Sequence, residues 1–298
     1  MVVVTPPLRV CILGAGKMGM QIGLEYALGG HEVACVVRQE DTAYQRLGTW
    51  INALEELHLA EPDDLLTVRD RMSIHVSGEA LPFVPDLVVE SLPEEMALKV
   101  DALRSLATEF TETVIASNTS SLSITGLGRA LDAGPRTLGT HYLNPALLVP
   151  LVEVIPGADT SPEVVDATTH TLKKLGKSPI LVNEEVAGFV WNRLQFALIR
   201  EAMSLVERRV VEAEMIDMIL KQGLARRWRA TGLFGTIALG GVETFIQAGA
   251  NILPSLSDQD TVEGLRDAVG SFRLEELEAR RNQLLASDLL TDRNDDGD

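Results

Sequence analysis

A histidine in "THYLNP" (His141), a serine in "ASNTSSL" (Ser120) and an asparagine in "GFVWNR" (Asn192) are side chains suited to chemistry on a hydroxyl or carbonyl group. Histidine exchanges a proton near neutral pH. Serine and asparagine offer donors and acceptors that polarise an oxygen. Brought together at the carboxyl edge of a sheet, the three would polarise a carbonyl oxygen and exchange its proton. In isolation His141 would read as a structural histidine at a strand end, and Ser120 as a helix N-cap.

A second group of residues suits a nucleotide. "GAGKMG" carries Gly14, Gly16 and Gly19 directly after an apolar run and opens a helix. Gly14 permits the tight turn, Gly16 lets backbone approach a pyrophosphate, and Gly19 lets helix and strand pack closely. The free N–H groups and positive end of the helix dipole then hold phosphates. An acid that grips the adenosine ribose is expected roughly 20 residues later, where Val37 and Arg38 stand in "CVVRQED". An apolar residue followed by Arg38 removes the repulsion of a 2′-phosphate and adds a planar cation, so NADP is modestly favoured over NAD. Lys17 adds charge nearby, whereas Glu40 and Asp41 keep NAD open if the strand runs longer.

Positioning these groups requires strands that end together. "LRVCILGAG", "GGHEVACVV", "MSIHV", "DLVVES", "TVIASN", "RTLGTHYL", "LVEVI" and "SPILVN" read as strands. Helical patterns over 17–28, 42–59, 94–110 and 163–175 lie between them. The alternation predicts an α/β fold, a Rossmann-type doubly wound and mainly parallel sheet. After about residue 184 the strand signals stop. Helical patterns over 186–208, 212–220, 240–250 and 262–285 predict an all-α C-terminal domain. The expected division is 1–184 and 185–298, with a flexible acidic tail over roughly the last ten residues.

Bulk composition narrows the classes. The chain has 298 residues, 46% apolar and 23% charged, as in globular proteins. A net charge of −17 argues against nucleic-acid binding. Cys11 and Cys35 sit in apolar runs and read as buried hydrophobes, so neither a disulfide framework nor a metal site is expected. The first residues lack a signal-peptide pattern, and no apolar stretch reaches the roughly 18–20 residues of a membrane span. A reduced, cytoplasmic setting without membrane partners is the expectation.

The segments "GAGKMG", "VVESLPE" with Lys99, "ASNTSSL", "THYLNP", "PLVEVI" and "EVAGFVWNR" occur in that order. Together they resemble the L-3-hydroxyacyl-CoA dehydrogenase superfamily, including its L-gulonate 3-dehydrogenase (lambda-crystallin) branch, over nearly the whole chain. The resemblance implies that His141 is a general base and Glu153 its orienting acid. It further implies that Ser120 and Asn192 bind the reacting oxygen, with Asn144 supporting the same pocket. Gly14, Gly16, Lys17, Met18, Gly19, Arg38, Glu94, Lys99 and Asn118 are the implied cofactor-binding set. A 3-hydroxyacyl thioester is the first implied substrate, placing the enzyme in fatty acid metabolism, because "SNTSS" matches that branch. A free 3-hydroxy acid such as L-gulonate is the alternative. "LEELHLAEPDDLLTVRDR" lacks the lysine that helps acyl-CoA enzymes hold CoA, and Arg227 in "GLARRWRATG" could take a carboxylate. A non-catalytic lambda-crystallin-like protein is a further alternative, and a homodimer through the helical domain is implied.

Overall fold

The computed structural model describes residues 7–262, 265–269 and 273–295. One compact unit comprises the described residues up to Trp191 together with those from Glu278 onward. The other is Asn192–Leu277.

In the first unit, β1 (Arg9–Leu13), α1 (Lys17–Leu28), β2 (Glu32–Val37), α2 (Glu40–Glu56), α3 (Pro62–Arg71) and β3 (Met72–Val76) come first. Then follow β4 (Leu87–Glu90), α4 (Met96–Glu109), β5 (Val114–Ser117), α5 (Ile124–Ala130), β6 (Thr137–Tyr142), β7 (Leu151–Pro156), α6 (Pro162–Lys174) and β8 (Ser178–Leu181). The eight strands lie in the order β3-β2-β1-β4-β5-β6-β7-β8. The order reverses between β1 and β4, which puts a crevice at the carboxyl ends of those strands, where open α/β sheets bind ligands. Six of the seven strand pairings run parallel, and β7 pairs antiparallel with β6.

Both faces of the central strands are covered, which is why they read as continuous apolar runs. Val10 and Ile12 face a core with Met20, Ile22, Ile51, Leu65 and Leu172. Cys11 and Leu13, the alternate residues of β1, face a second core with Leu103, Ala107 and Leu127.

The second unit contains α7 (Trp191–Glu207, its first residue belonging to the sheet unit), α8 (Ala213–Ile219), α9 (Ala225–Gly240), α10 (Val242–Ile252) and α11 (Leu265–Val269). Gly232, at φ 66°, kinks α9. The last helix, α12 (Leu274–Asp295), begins there and continues into the first unit.

Several expectations are corrected. The helix expected from residue 186 starts at Trp191, because Gly188 and Phe189 adopt φ of 75° and 49° and turn the chain first. The pattern over 262–285 divides into α11 and α12. Residues 289–295 are helical rather than a flexible tail, since Leu285, Leu289 and Leu290 flank buried Ala286 on the first core. Hence the segment from Glu278 groups with the sheet, not with the helical unit to which the sequence reading gives 185–298. The "EPDD" stretch opens α3 with Pro62 and first-turn Asp63 and Asp64, a start signal that the sequence reading passed over.

Candidate active site

The glycine turn joins β1 to α1. Gly14 has φ 94°, and a Cβ there would meet the Ser91 carbonyl oxygen at 2.8 Å. At Gly19 a Cβ would collide with the Gly14 carbonyl oxygen. At Gly16 it would meet nothing within 4 Å. That open space lies where α1 begins with no side-chain cap and no acid in its first turn. Such an uncapped start fits a pyrophosphate, so the residues present suit a dinucleotide. Met18 packs partly against the core, whereas Lys17 is exposed, with Nζ 3.8 Å from Glu278 Oε1. Val37 is the last residue of β2 and Arg38 follows it, exposed. Glu40 and Asp41 form the first turn of α2 rather than the strand end.

The carboxyl ends of β4 and β5 carry a buried acid that the sequence reading missed. Glu90 is 0% exposed. Its Oε1 accepts from Lys99 Nζ at 2.7 Å and from the Leu92 N–H at 2.5 Å, and its Oε2 accepts from Ser117 Oγ at 2.5 Å. An acid ending the apolar run "DLVVE" was the available signal. Lys99, 1% exposed, also donates to the Leu92 carbonyl at 3.1 Å and lies 3.5 Å from Glu94 Oε2. Its ammonium is therefore enclosed by protein acceptors rather than presented at the surface.

Glu94 gathers the serine loop. Its Oε1 accepts from Thr119 Oγ1 at 2.6 Å, from the N–H groups of Ser120 and Ser121 at 2.8 Å each, and from Ser121 Oγ at 3.0 Å. Burial pushes the Glu94 carboxyl up, but these donors and Lys99 outweigh it and hold it below the usual carboxylate range. Ser120 is thus placed by its own backbone N–H. It is not a helix cap. Ser123 caps α5, accepting from the Gly126 N–H at 3.0 Å, and Glu185 accepts from the N–H groups of Ile124 and Thr125 at 2.6 and 3.1 Å. Asn118 ties β5 to β6, accepting from the Tyr142 N–H at 2.9 Å and donating to Ser91 Oγ at 3.2 Å.

His141 and Glu153 face each other directly across the antiparallel β6–β7 pair. Opposed residues on an antiparallel ladder bring their side chains side by side on one face, so the spacing becomes a contact. His141 Nδ1 and Glu153 Oε2 are 2.7 Å apart, and both residues are buried. Glu153 Oε1 accepts from the N–H groups of Val190 and Trp191 at 2.9 and 2.8 Å. The Gly188–Phe189 turn aims those two N–H groups, and the Phe189 ring lies 5.6 Å from the imidazole at a 57° tilt. Burial raises the Glu153 pKa. Its three donors and the His141 charge outweigh this and lower it. An ionised carboxylate accepts only, so the hydrogen on Nδ1 points to Glu153.

Asn144 is exposed at the end of the segment following His141. Asn192 and Arg227 belong to the helical unit, Asn192 in the first turn of α7 and Arg227 exposed on α9. Among the described residues no cluster of His, Cys, Asp and Glu could hold a metal ion.

Residues 9–186 match the family described as 3-hydroxyacyl-CoA dehydrogenase, NAD binding domain, and residues 188–266 match its C-terminal domain. The chain is 31% identical over 261 residues to 5-formyl-3-hydroxy-2-methylpyridine 4-carboxylate 5-dehydrogenase of Mesorhizobium japonicum, covering 85% of this chain and 82% of that relative. A solved structure of such a 5-dehydrogenase, described as an NAD+ dependent dismutase, superposes with a TM-score of 0.82 at 26% identity, over 94% of this chain and 97% of that one. The (S)-3-hydroxybutyryl-CoA dehydrogenase of Ralstonia eutropha superposes with a TM-score of 0.68 at 31% identity, over 74% and 78%.

Proposed function

The chain belongs to the 3-hydroxyacyl-CoA dehydrogenase family, an NAD-dependent oxidoreductase acting on a CH–OH group, and we propose that its substrate is a small 3-hydroxy acid with His141 as proton acceptor. The observation that carries the reading is the His141–Glu153 pair, whose 2.7 Å contact through Nδ1 supports Nε2 as the base. In the oxidation, the hydroxyl O–H bond breaks and its proton passes to Nε2 while the carbonyl forms. The turn carrying Gly14, Gly16 and Gly19 would hold NAD+, which would supply the acceptor for the carbon-bound hydrogen as hydride. Glu153 stabilises the imidazolium that results. Ser120 holds the reacting oxygen, and Glu94 fixes the Ser120 backbone.

A free acid is favoured over an acyl thioester by the region around α3. Its first turn carries Asp63 and Asp64, and Arg71 donates to the Ala27 carbonyl at 3.1 Å. Its exposed cation, Arg69, stands among exposed Asp63, Asp64 and Asp70, so that surface has little to offer the phosphates of CoA. The near-complete overlay on a pyridine carboxylate dehydrogenase supports the same reading. The purified protein with NAD+ should turn over a free 3-hydroxy acid such as L-gulonate faster than 3-hydroxybutyryl-CoA, followed at the nicotinamide absorbance band. Turnover of the CoA ester alone would restore the thioester reading. Turnover of neither class would remove the enzymatic assignment of His141.

A further inference from the structure

One buried cation takes no part in the mechanism above. Lys177, 7% exposed, directly precedes β8. Its Nζ donates to the carbonyls of Ala146 and Val149 at 2.6 and 3.2 Å and pairs with Glu25 Oε1 at 2.5 Å. It also lies 5.9 Å from the centre of the Tyr142 ring, within reach of a cation–π attraction.

Those carbonyls belong to the turn that follows His141. The N–H groups of Leu148 and Val149 close it by donating to the Pro145 carbonyl at 3.1 and 3.0 Å. On the other side stands α1. Gln21 and Glu25 are one helical turn apart and share a face, and both are buried. Gln21 Nε2 donates to the Lys17 carbonyl at 2.7 Å, and its Oε1 accepts from the Leu147 N–H at 3.4 Å. Glu25 reaches the same turn through Lys177. The helix that opens at the glycine turn is therefore joined, by two polar links through an otherwise apolar core, to the segment carrying His141 and Asn144. Burying an ion pair is costly, and an apolar pair of similar volume would pack as well. What the apolar pair cannot supply is a directional hold on two carbonyls.

We propose that Lys177, with Glu25, is a positioning residue that fixes the 144–149 turn relative to α1, and so sets where His141 and Asn144 stand with respect to the cofactor helix. The inference rests on the reading of His141 as the proton acceptor.

The test uses the full-length protein. Lys177→Met alone leaves Glu25 buried without its cation and is expected to destabilise the fold. The double variant Lys177→Met/Glu25→Leu removes both charges and is the informative one. It should stay folded by circular dichroism and bind NADH within about 3-fold of the parent, because the glycine turn is untouched. Its kcat should fall on the order of 10–100-fold through misplacement of the base. Amide hydrogen exchange in peptides covering 144–149 should accelerate by about 10-fold. Lys177→Arg, whose guanidinium can still donate to both carbonyls, should recover part of the loss in kcat. Faster exchange with unchanged kcat would reduce Lys177 to a packing role, and unchanged exchange would overturn the proposal outright. If the parent protein turns over no 3-hydroxy substrate, the functional reading fails by itself, and the exchange comparison still decides whether Lys177 holds the turn.

Discussion

Glu153 holds three donors on two oxygens, and each of them matters to His141. Replacing the acid by glutamine puts an amide donor where only acceptors fit. Glu153→Gln should therefore cost about 1–3 kcal/mol of stability and lower kcat, measured by thermal unfolding and steady-state rates. His141→Ala removes the proposed base without disturbing the sheet's backbone ladder and should lower kcat on the order of 10²–10⁴-fold; a smaller effect would move the base elsewhere. The pH dependence follows from the depressed Glu153 carboxyl. A carboxyl lowered by folding stabilises fully above its unfolded pKa, near 4.3, and that stability is lost as the pH falls through the lower folded value. Glu94 and Glu185 act in the same direction. Acidification below about pH 4.3 should accordingly destabilise the parent protein more steeply than Glu153→Gln. At the end of β2, Arg38→Asp would introduce an acid suited to the ribose 2′-OH and hostile to a 2′-phosphate. It should shift the ratio of kcat/KM values toward NAD over NADP by roughly 10-fold; an unchanged ratio would mean Arg38 does not contact the cofactor.

At the scale of elements, the β1–α1 junction is the least tolerant. Gly19→Ala would drive a Cβ into the Gly14 carbonyl, backbone against backbone. Either α1 tilts away from β1 or the turn opens. The expected result is a loss of about 1–3 kcal/mol with a disproportionate loss of NADH affinity, read by unfolding and fluorescence titration. Gly16 has room for the methyl, so Gly16→Ala should weaken NADH binding with little change in stability. These roles were legible from the "GAGKMG" spacing, since a strand–turn–helix needs each glycine for a local reason. Glu90 and Lys177 were not. Each is defined by partners far along the chain, Ser117 for the one and Glu25 for the other. No local periodicity marks such pairs. The seven-residue α5 escaped as well, because its short span hardly establishes a helical period.

For the whole molecule, the helical unit presents Phe234 at 81%, Leu239 at 79% and Leu253 at 67% exposure. Apolar side chains this exposed on one small unit suit burial in an interface. We propose a homodimer formed through this unit, as the family resemblance implies. Light scattering should give twice the 32.3 kDa chain mass, and Phe234→Glu with Leu239→Glu should shift the protein toward monomer. A parent protein that is monomeric at all concentrations would refute the proposal. The acidic surface, at net charge −17, should keep either form soluble near neutral pH.

The sequence by itself determined the succession of strands, the dinucleotide turn and the residue types of the reactive set, because those depend on short-range spacing and on which side chains can do the chemistry. Only the tertiary structure decided that β7 runs antiparallel, so that Glu153 lies opposite His141. It alone decided that Lys99 is enclosed by Glu90, Glu94 and Leu92 rather than open to a ligand. It also carried the residues from Glu278 back to the sheet. The physical reason is common to all three. Strand direction, burial of a charge and the docking of a terminal helix depend on contacts between residues distant in the chain, and no local pattern records them.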